Sequence, residues 1–88
     1  MKVVFSDDAW DDYLYWTNRE PKIHARLNDL IEQYRGAPFR GTGKPEPLRS
    51  DLQGFWSRRL TREDRLVYRV EGKGVEQRLE IAQCRQHY

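Results

Sequence analysis

The spacing of apolar residues changes period part-way along the chain. KVVFS, at residues 2 to 6, is a short β-type run. Ser6 then stands as the N-cap of a helix whose first turn carries Asp7 and Asp8, the end at which carboxylates are favoured. In DDAWDDYLYW, Trp10, Tyr13, Leu14 and Trp16 form the apolar side, and Trp10, Tyr13 and Trp16 are expected to serve core and subunit interface. Pro21 suits the first turn of a second helix, along which Ile23, Leu27, Leu30, Ile31 and Tyr34 recur at spacings of four, three, one and three. Gly36 and Pro38 end it. The next stretch, GAPFRGTGKPEP, has three Gly and three Pro in twelve residues and predicts an irregular loop, long enough to suspect function.

Beyond this loop the period falls to two. GFWSRRLT and RLVYRVE read as strands joined by the polar turn TREDR, and EGKG turns the chain into a last strand, QRLEIAQCRQHY. The order β, α, α, then three or more antiparallel strands predicts an α+β fold: two N-terminal helices packed on one face of a twisted, mainly antiparallel sheet, as a single domain over residues 1–88.

Composition narrows the field further. A chain of 88 residues makes one compact core that buries somewhat over ~60% of its unfolded surface. Three Trp, five Tyr and three Phe must supply much of that area. The lone Cys84 excludes an internal disulfide and fits a reducing compartment. The apolar run in MKVVFSDD is too short for a signal peptide or membrane helix, so a cytoplasmic location is expected. Charge is divided unevenly: residues 1–34 hold four Lys/Arg against seven Asp/Glu, and residues 35–88 hold twelve against seven. Ten of those twelve cations are Arg, whose planar fork suits phosphate, which makes the second part the candidate surface for an anionic partner.

Several familiar sites are absent from the pattern. The first helix carries Asp7, Asp8, Asp11 and Asp12, which would repel a phosphate backbone, so the helix pair does not read DNA. Two His and one Cys cannot assemble a usual zinc ligand set, and His24 is read as a surface or packing residue. GTGK, at residues 41 to 44, lacks P-loop spacing and is followed by proline. No metal or cofactor is called for.

Cleavage of RNA fits the remaining residues, because RNA carries its own nucleophile, the 2′-OH. The reaction needs a base to take that proton, an acid for the departing 5′ oxygen, and cations on the phosphate. Glu46 sits in the proline-braced KPEP, where a rigid loop can hold a carboxylate in place. His87, at the end of a strand, is the acid suited to neutral pH outside the helices. Arg49, Arg58, Arg59, Arg62, Arg65, Arg69 and Arg85 offer phosphate ligands. Strand alternation puts Ser57 with Arg59 on one face and Arg85 with His87 on one face. The residues alone leave competing readings open. A Glu between prolines is commonly just solvated, a terminal His commonly frays, and the arginines can pair with Glu63, Asp64, Glu71 and Glu80. A non-catalytic RNA- or ribosome-binding module would use the same Arg surface.

WDDYLYW (residues 10 to 16), PFRGTGKPEPL (38 to 48), GFWSRRLTREDRLVYRV (54 to 70) and the ending CRQHY resemble, in order and spacing, the YoeB toxins of toxin–antitoxin modules, within the RelE superfamily. The resemblance runs from Met1 to Tyr88. It implies a microbial-ribonuclease-like α+β fold and a ribosome-dependent endoribonuclease that cuts mRNA in the A site, leaving a 2′,3′-cyclic phosphate and a 5′-OH. It further implies Glu46 as general base, His87 as general acid, Arg65 as the transition-state arginine and Tyr88 as a substrate-positioning residue. Arg59 matches a basic position of the same cleft, and Arg49 stands where the family often has lysine. Implied partners are the ribosome and its mRNA, a YefM-like antitoxin with an acidic C-terminal segment, and a second copy of the toxin. VEGKGVEQRLE is longer than the corresponding turn of close relatives, which leaves the last hairpin's register open. Phe55 and Trp56 are read as packing residues, with base stacking the alternative, and Cys84 as a small buried residue.

Overall fold

The computed structural model describes residues 1–40 and 45–86, and of Ser50 the backbone alone. Strand β1 (Lys2–Phe5) is followed by helices α1 (Asp7–Arg19) and α2 (Pro21–Gly36), and then by β2 (Glu46–Pro47), β3 (Trp56–Arg59), β4 (Arg65–Glu71) and β5 (Arg78–Gln83). The five strands form one sheet in the order β1-β5-β4-β3-β2. β1 lies parallel to β5, and the other pairs are antiparallel. The expected α+β architecture is therefore present, with the first and last strands side by side.

Local chemistry accounts for the helices. The Ser6 hydroxyl accepts the Ala9 amide at 3.0 Å and donates to the Ala82 carbonyl at 2.9 Å, so one cap both starts α1 and ties it to β5. Glu20 alone separates the helices, its N–H closing α1 on the Trp16 carbonyl, and Pro21 opens α2 where a missing N–H costs nothing. Leu27, Leu30, Ile31 and Tyr34 are buried as their spacing predicts. On α1 the residues expected at core and interface divide. Ala9 and Trp16 enter the core, while Trp10 and Leu14 are 47% and 38% exposed. α1 turns the Ala9–Trp16 side to the sheet, leaving Trp10 stacked on Tyr13 and edge-on to Phe5 at the rim.

Both helices cover one face of the sheet, closing a core with Leu60, Leu66, Tyr68, Leu79, Ile81 and Cys84. The largest fully buried side chain is charged: Arg58. Its guanidinium lies 3.4 Å from the Tyr34 ring centre and donates to the Tyr68 hydroxyl at 2.8 Å and to the carbonyls of Ala37 at 3.0 Å and Pro38 at 2.6 Å. The buried charge is thus met by acceptors and a ring face.

The strands differ from expectation at both ends of the sheet. Part of the predicted loop is a strand, for Glu46 and Pro47 pair with Ser57 and Trp56. Pro47 is tolerated because β2 is an edge. β5 stops at Gln83, short of the predicted CRQHY, and its ladder is irregular: Tyr68 opposes Ile81 but Val67 opposes Gln83, leaving Ala82 as the extra residue of a bulge. That extra residue shifts the inward phase, so Cys84 follows Leu79 and Ile81 into the core. The hairpin register left open is settled at Glu71↔Arg78 and Arg69↔Glu80, with one 3-10 turn at Gly74–Glu76 in the connection. Among the described residues no helix is long and apolar enough to cross a membrane.

Candidate functional site

Strand parity sorts the arginines. Trp56 and Arg58 on β3, and their partners Tyr68 and Leu66 on β4, point to the helices. Ser57, Arg59, Arg65, Val67 and Arg69 therefore point to the opposite face. Register then assembles the site: Glu46 lies opposite Ser57, and Arg59 lies opposite Arg65. Side chains of paired residues share a face, so Glu46, Arg59 and Arg65 lie at one corner of it, with backbones on neighbouring strands on the order of 5–8 Å apart and those of Glu46 and Arg65, two strands apart, on the order of 12 Å. Glu46 and Arg59 are exposed and Arg65 is half-buried. Between them the Ser57 hydroxyl is buried and has no hydrogen-bond partner among the described residues. Exposed Arg49 lies two residues past β2, in a turn where the Leu48 amide donates to the Phe55 carbonyl and the Leu52 amide to the Arg49 carbonyl.

The predicted set of phosphate ligands shrinks accordingly. Arg58 is excluded, being enclosed beneath the opposite face. Arg69 donates to Glu80 at 2.7 Å and lies over the Phe55 ring, and Arg85 lies 3.6 Å from the centre of the Tyr15 ring on α1. Among the described residues Arg49, Arg59, Arg62 and Arg65 enter no ion pair. Of the acids expected to pair with arginine, Glu71 and Glu80 do so, both with Arg69, and Glu80 also with Arg78.

His87, Tyr88 and the GTGK segment lie outside the described residues, but the chain leading to His87 does not. The expectation that Arg85 and His87 extend a strand face fails at its first member, because β5 has ended and Arg85 packs on α1. Cys84 is held on both sides of its peptide: its N–H donates to the Asp12 carboxylate at 3.1 Å, and its carbonyl accepts the Trp16 indole at 2.8 Å. Gln86 is held in turn by Asp64 and the Arg65 amide. Asp64 and Asp12 were not found in these roles by sequence reasoning. The only sign of the role of Asp64 was a Thr-x-x-Asp turn entering a strand, a pattern in which hydroxyl and carboxylate commonly brace one another.

Phe55 and Trp56 divide. Trp56 packs toward the core and against Phe39, their ring centres 4.8 Å apart, as the packing reading expects. Phe55 lines an open cavity of about 230 Å³ on the site's face of the sheet, with Val4, Arg69, Glu80, Ile81 and Ala82. Cys84 is fully buried, and burial pushes its thiol well above the ordinary range, which suits a packing residue and not a nucleophile. His24 joins Tyr13 and Asn28 in a polar cluster between the helices, at 3.0 Å from the Tyr13 hydroxyl. Among the described residues no group of His, Cys, Asp and Glu is placed to hold a metal.

Two helices on one face of a five-stranded sheet, with an arginine-bearing corner on the other, define a small α+β domain whose solved counterparts are toxins. The solved YoeB/ParE toxin from Agrobacterium tumefaciens superimposes with a TM-score of 0.96 at 52% identity, covering all of both chains. YoeB from Staphylococcus aureus, solved as a dimer and in a heterotetrameric complex with YefM, does so in each case at a TM-score of 0.86 and 37% identity, over 100% of this chain and 98% of that one. Toxin YoeB of Escherichia coli (strain K12) is 51% identical over 88 residues, the whole of both chains. Residues 5–88 match the model of the YoeB-like toxins of bacterial type II toxin–antitoxin systems, and the chain belongs to that family.

Proposed function

We propose that this toxin is a metal-independent endoribonuclease that cuts mRNA in the ribosomal A site. Glu46 removes the 2′-OH proton, and the 2′ oxygen attacks the adjacent phosphorus. The bond from phosphorus to the 5′ oxygen breaks as His87 protonates that oxygen, leaving a 2′,3′-cyclic phosphate and a 5′-OH. Arg65 and Arg59 meet the charge that develops on the phosphoryl oxygens, Arg49 binds a flanking phosphate, and Tyr88 positions the substrate. The observation that carries this reading is the Arg59–Arg65 couple, which enters no ion pair among the described residues and shares one sheet face with Glu46. A binding surface needs the cations, but only an acid–base mechanism needs a carboxylate among them.

A YefM-like antitoxin is the proposed partner, since the S. aureus relative forms a heterotetramer with YefM, and an acidic segment suits a half-chain with twelve Lys/Arg against seven Asp/Glu. The S. aureus dimer likewise supports a homodimer. The proposed site of action is the cytoplasm. The test is end-mapping of mRNA recovered from a translating extract. Fragments carrying a 2′,3′-cyclic phosphate and a 5′-OH support the mechanism, whereas ribosome binding without new ends leaves a non-catalytic binding module.

A further inference from the structure

We infer that Asp64 is the positioning residue for the C-terminal proton donor, holding the Gln86 peptide at the start of β4 and so setting the point from which His87 departs. The inference rests on the ribonuclease reading and extends it to a residue that touches no substrate. One carboxylate oxygen of Asp64 accepts the Gln86 amide at 2.5 Å, and the next amide in the chain, that of Arg65, donates to the Gln86 carbonyl at 3.1 Å. Consecutive residues thereby grip the polar groups of Gln86 on either side of its Cα. The grip is itself braced. The second carboxylate oxygen accepts the Thr61 hydroxyl at 2.6 Å, that hydroxyl accepts the Asp64 and Glu63 amides at 3.0 and 3.2 Å, and the Leu60 amide donates to the Asp64 carbonyl at 3.0 Å.

The carboxylate is thus occupied on both oxygens by neutral donors. It enters no ion pair among the described residues, although arginines flank it in sequence at 62 and 65. Gln86 also needs an external hold. Its φ of 64° is in the left-handed region, where a residue with a β-carbon is strained and stays only if neighbours impose it. The same backbone step that clamps Gln86 begins the strand carrying Arg65. Asp64 therefore couples the residue that precedes the donor to the arginine proposed to meet the transition state.

The experiment is a double-mutant cycle in the translating extract with the full-length toxin, comparing wild type, Asp64→Ala, His87→Gln and the double variant, with hydrogen exchange at the Gln86 amide read alongside. Misplacement of a reacting group by about 1 Å costs about 10²-fold. Asp64→Ala is accordingly expected to lower kcat by about that factor with KM unchanged, and to deprotect the Gln86 amide. In the His87→Gln background the same substitution is expected to cost less than about twofold, since the group it positions is gone. Asp64→Asn keeps an acceptor for the Gln86 amide and is expected within about threefold of wild type. If Asp64→Ala does not fold, the Asn variant and its exchange decide the matter. Losses that multiply across the cycle, an Asn variant as impaired as Ala, or an unchanged Gln86 amide would each overturn the assignment. Full cleavage by His87→Gln alone would instead overturn the catalytic reading, and amide exchange would then judge the clamp by itself.

Discussion

Arg59 and Arg65 stand directly opposite one another across the β3–β4 ladder, on the sheet face turned away from the helices. Like charges at opposed positions destabilise a sheet by about 0.2–1 kcal/mol, so the pair is costly to the free protein. A phosphate seated between them would reverse that cost. Arg65→Gln is therefore expected to leave the melting temperature unchanged or slightly raised while lowering cleavage by about 10²–10³-fold, the effect of removing one preorganised charge donor. Thermal melts beside cleavage rates check both halves, and a variant that lost stability and kept its rate would remove Arg65 from the site.

Neighbouring Arg58 predicts the opposite behaviour. Its guanidinium satisfies two carbonyls and a tyrosine hydroxyl in the core, and Tyr68 itself also donates to Pro38. Arg58→Leu strands those acceptors and is expected to destabilise by about 3 kcal/mol, a fall of roughly 15 °C in Tm for a domain this size. Any loss of cleavage should then track the folded fraction, which denaturation and activity measured on one preparation would show.

Two carboxylates make opposite contributions with pH. Hydrogen bonds from Arg78 and then Arg69 hold Glu80 below its ordinary value of 4.5. Its contribution is complete above that value and is lost as pH falls through the depressed one, though solvent exposure keeps it to a few tenths of a kcal/mol. Burial raises Asp12 above its ordinary 3.8, with the Cys84 amide opposing the shift. Its ionisation therefore weighs against the fold as pH rises past 3.8. Asp12→Asn keeps the acceptor without the charge and is expected to match or exceed wild-type stability at pH 7, the difference closing in acid. Asp12→Ala leaves the Cys84 amide unmet and is expected to cost about 1–2 kcal/mol at either pH. Urea melts at pH 3 and pH 7 distinguish the two.

Gly72 makes the β4–β5 connection possible. Its φ is +83°, and a β-carbon there would sit 2.5 Å from the Glu76 carbonyl oxygen. Gly72→Ala is expected to destabilise by about 2 kcal/mol, whereas Gly54→Ala, at φ +95° in open space, carries the conformational strain alone and should cost less.

Which parts of this were readable in the chain depends on how local the cause was. The Ser6 cap, the Pro21 start and the α2 stripe are set by neighbours within a turn or two, and they appear as expected. The division of the α1 aromatics between core and rim is settled by tertiary packing around Ala9, which turns Trp16 inward and leaves Trp10 exposed. Arg58 and Arg59 look alike as residues, yet Trp56, Arg58 and Leu60 share a parity, and that pattern already points Arg58 inward. The β5 bulge is visible only as an apolar phase running 79, 81, 84, and Glu46 was recognised as a chemical group but not as a strand residue. Asp64 is legible in the chain only as an arginine partner, because its actual partner, the Gln86 amide, lies 22 residues away and becomes a neighbour only once the sheet has formed.

The central claim is that Glu46 and His87 form the acid–base pair of an RNA-cleaving site. Cleavage of a ribosome-bound mRNA in a translating extract, followed for wild type, Glu46→Gln and His87→Gln, tests it most directly. Each variant is expected to bind ribosomes as wild type does and to cut about 10²–10⁴-fold more slowly, the usual contribution of a general acid or base. Undiminished cutting by either variant would contradict the account.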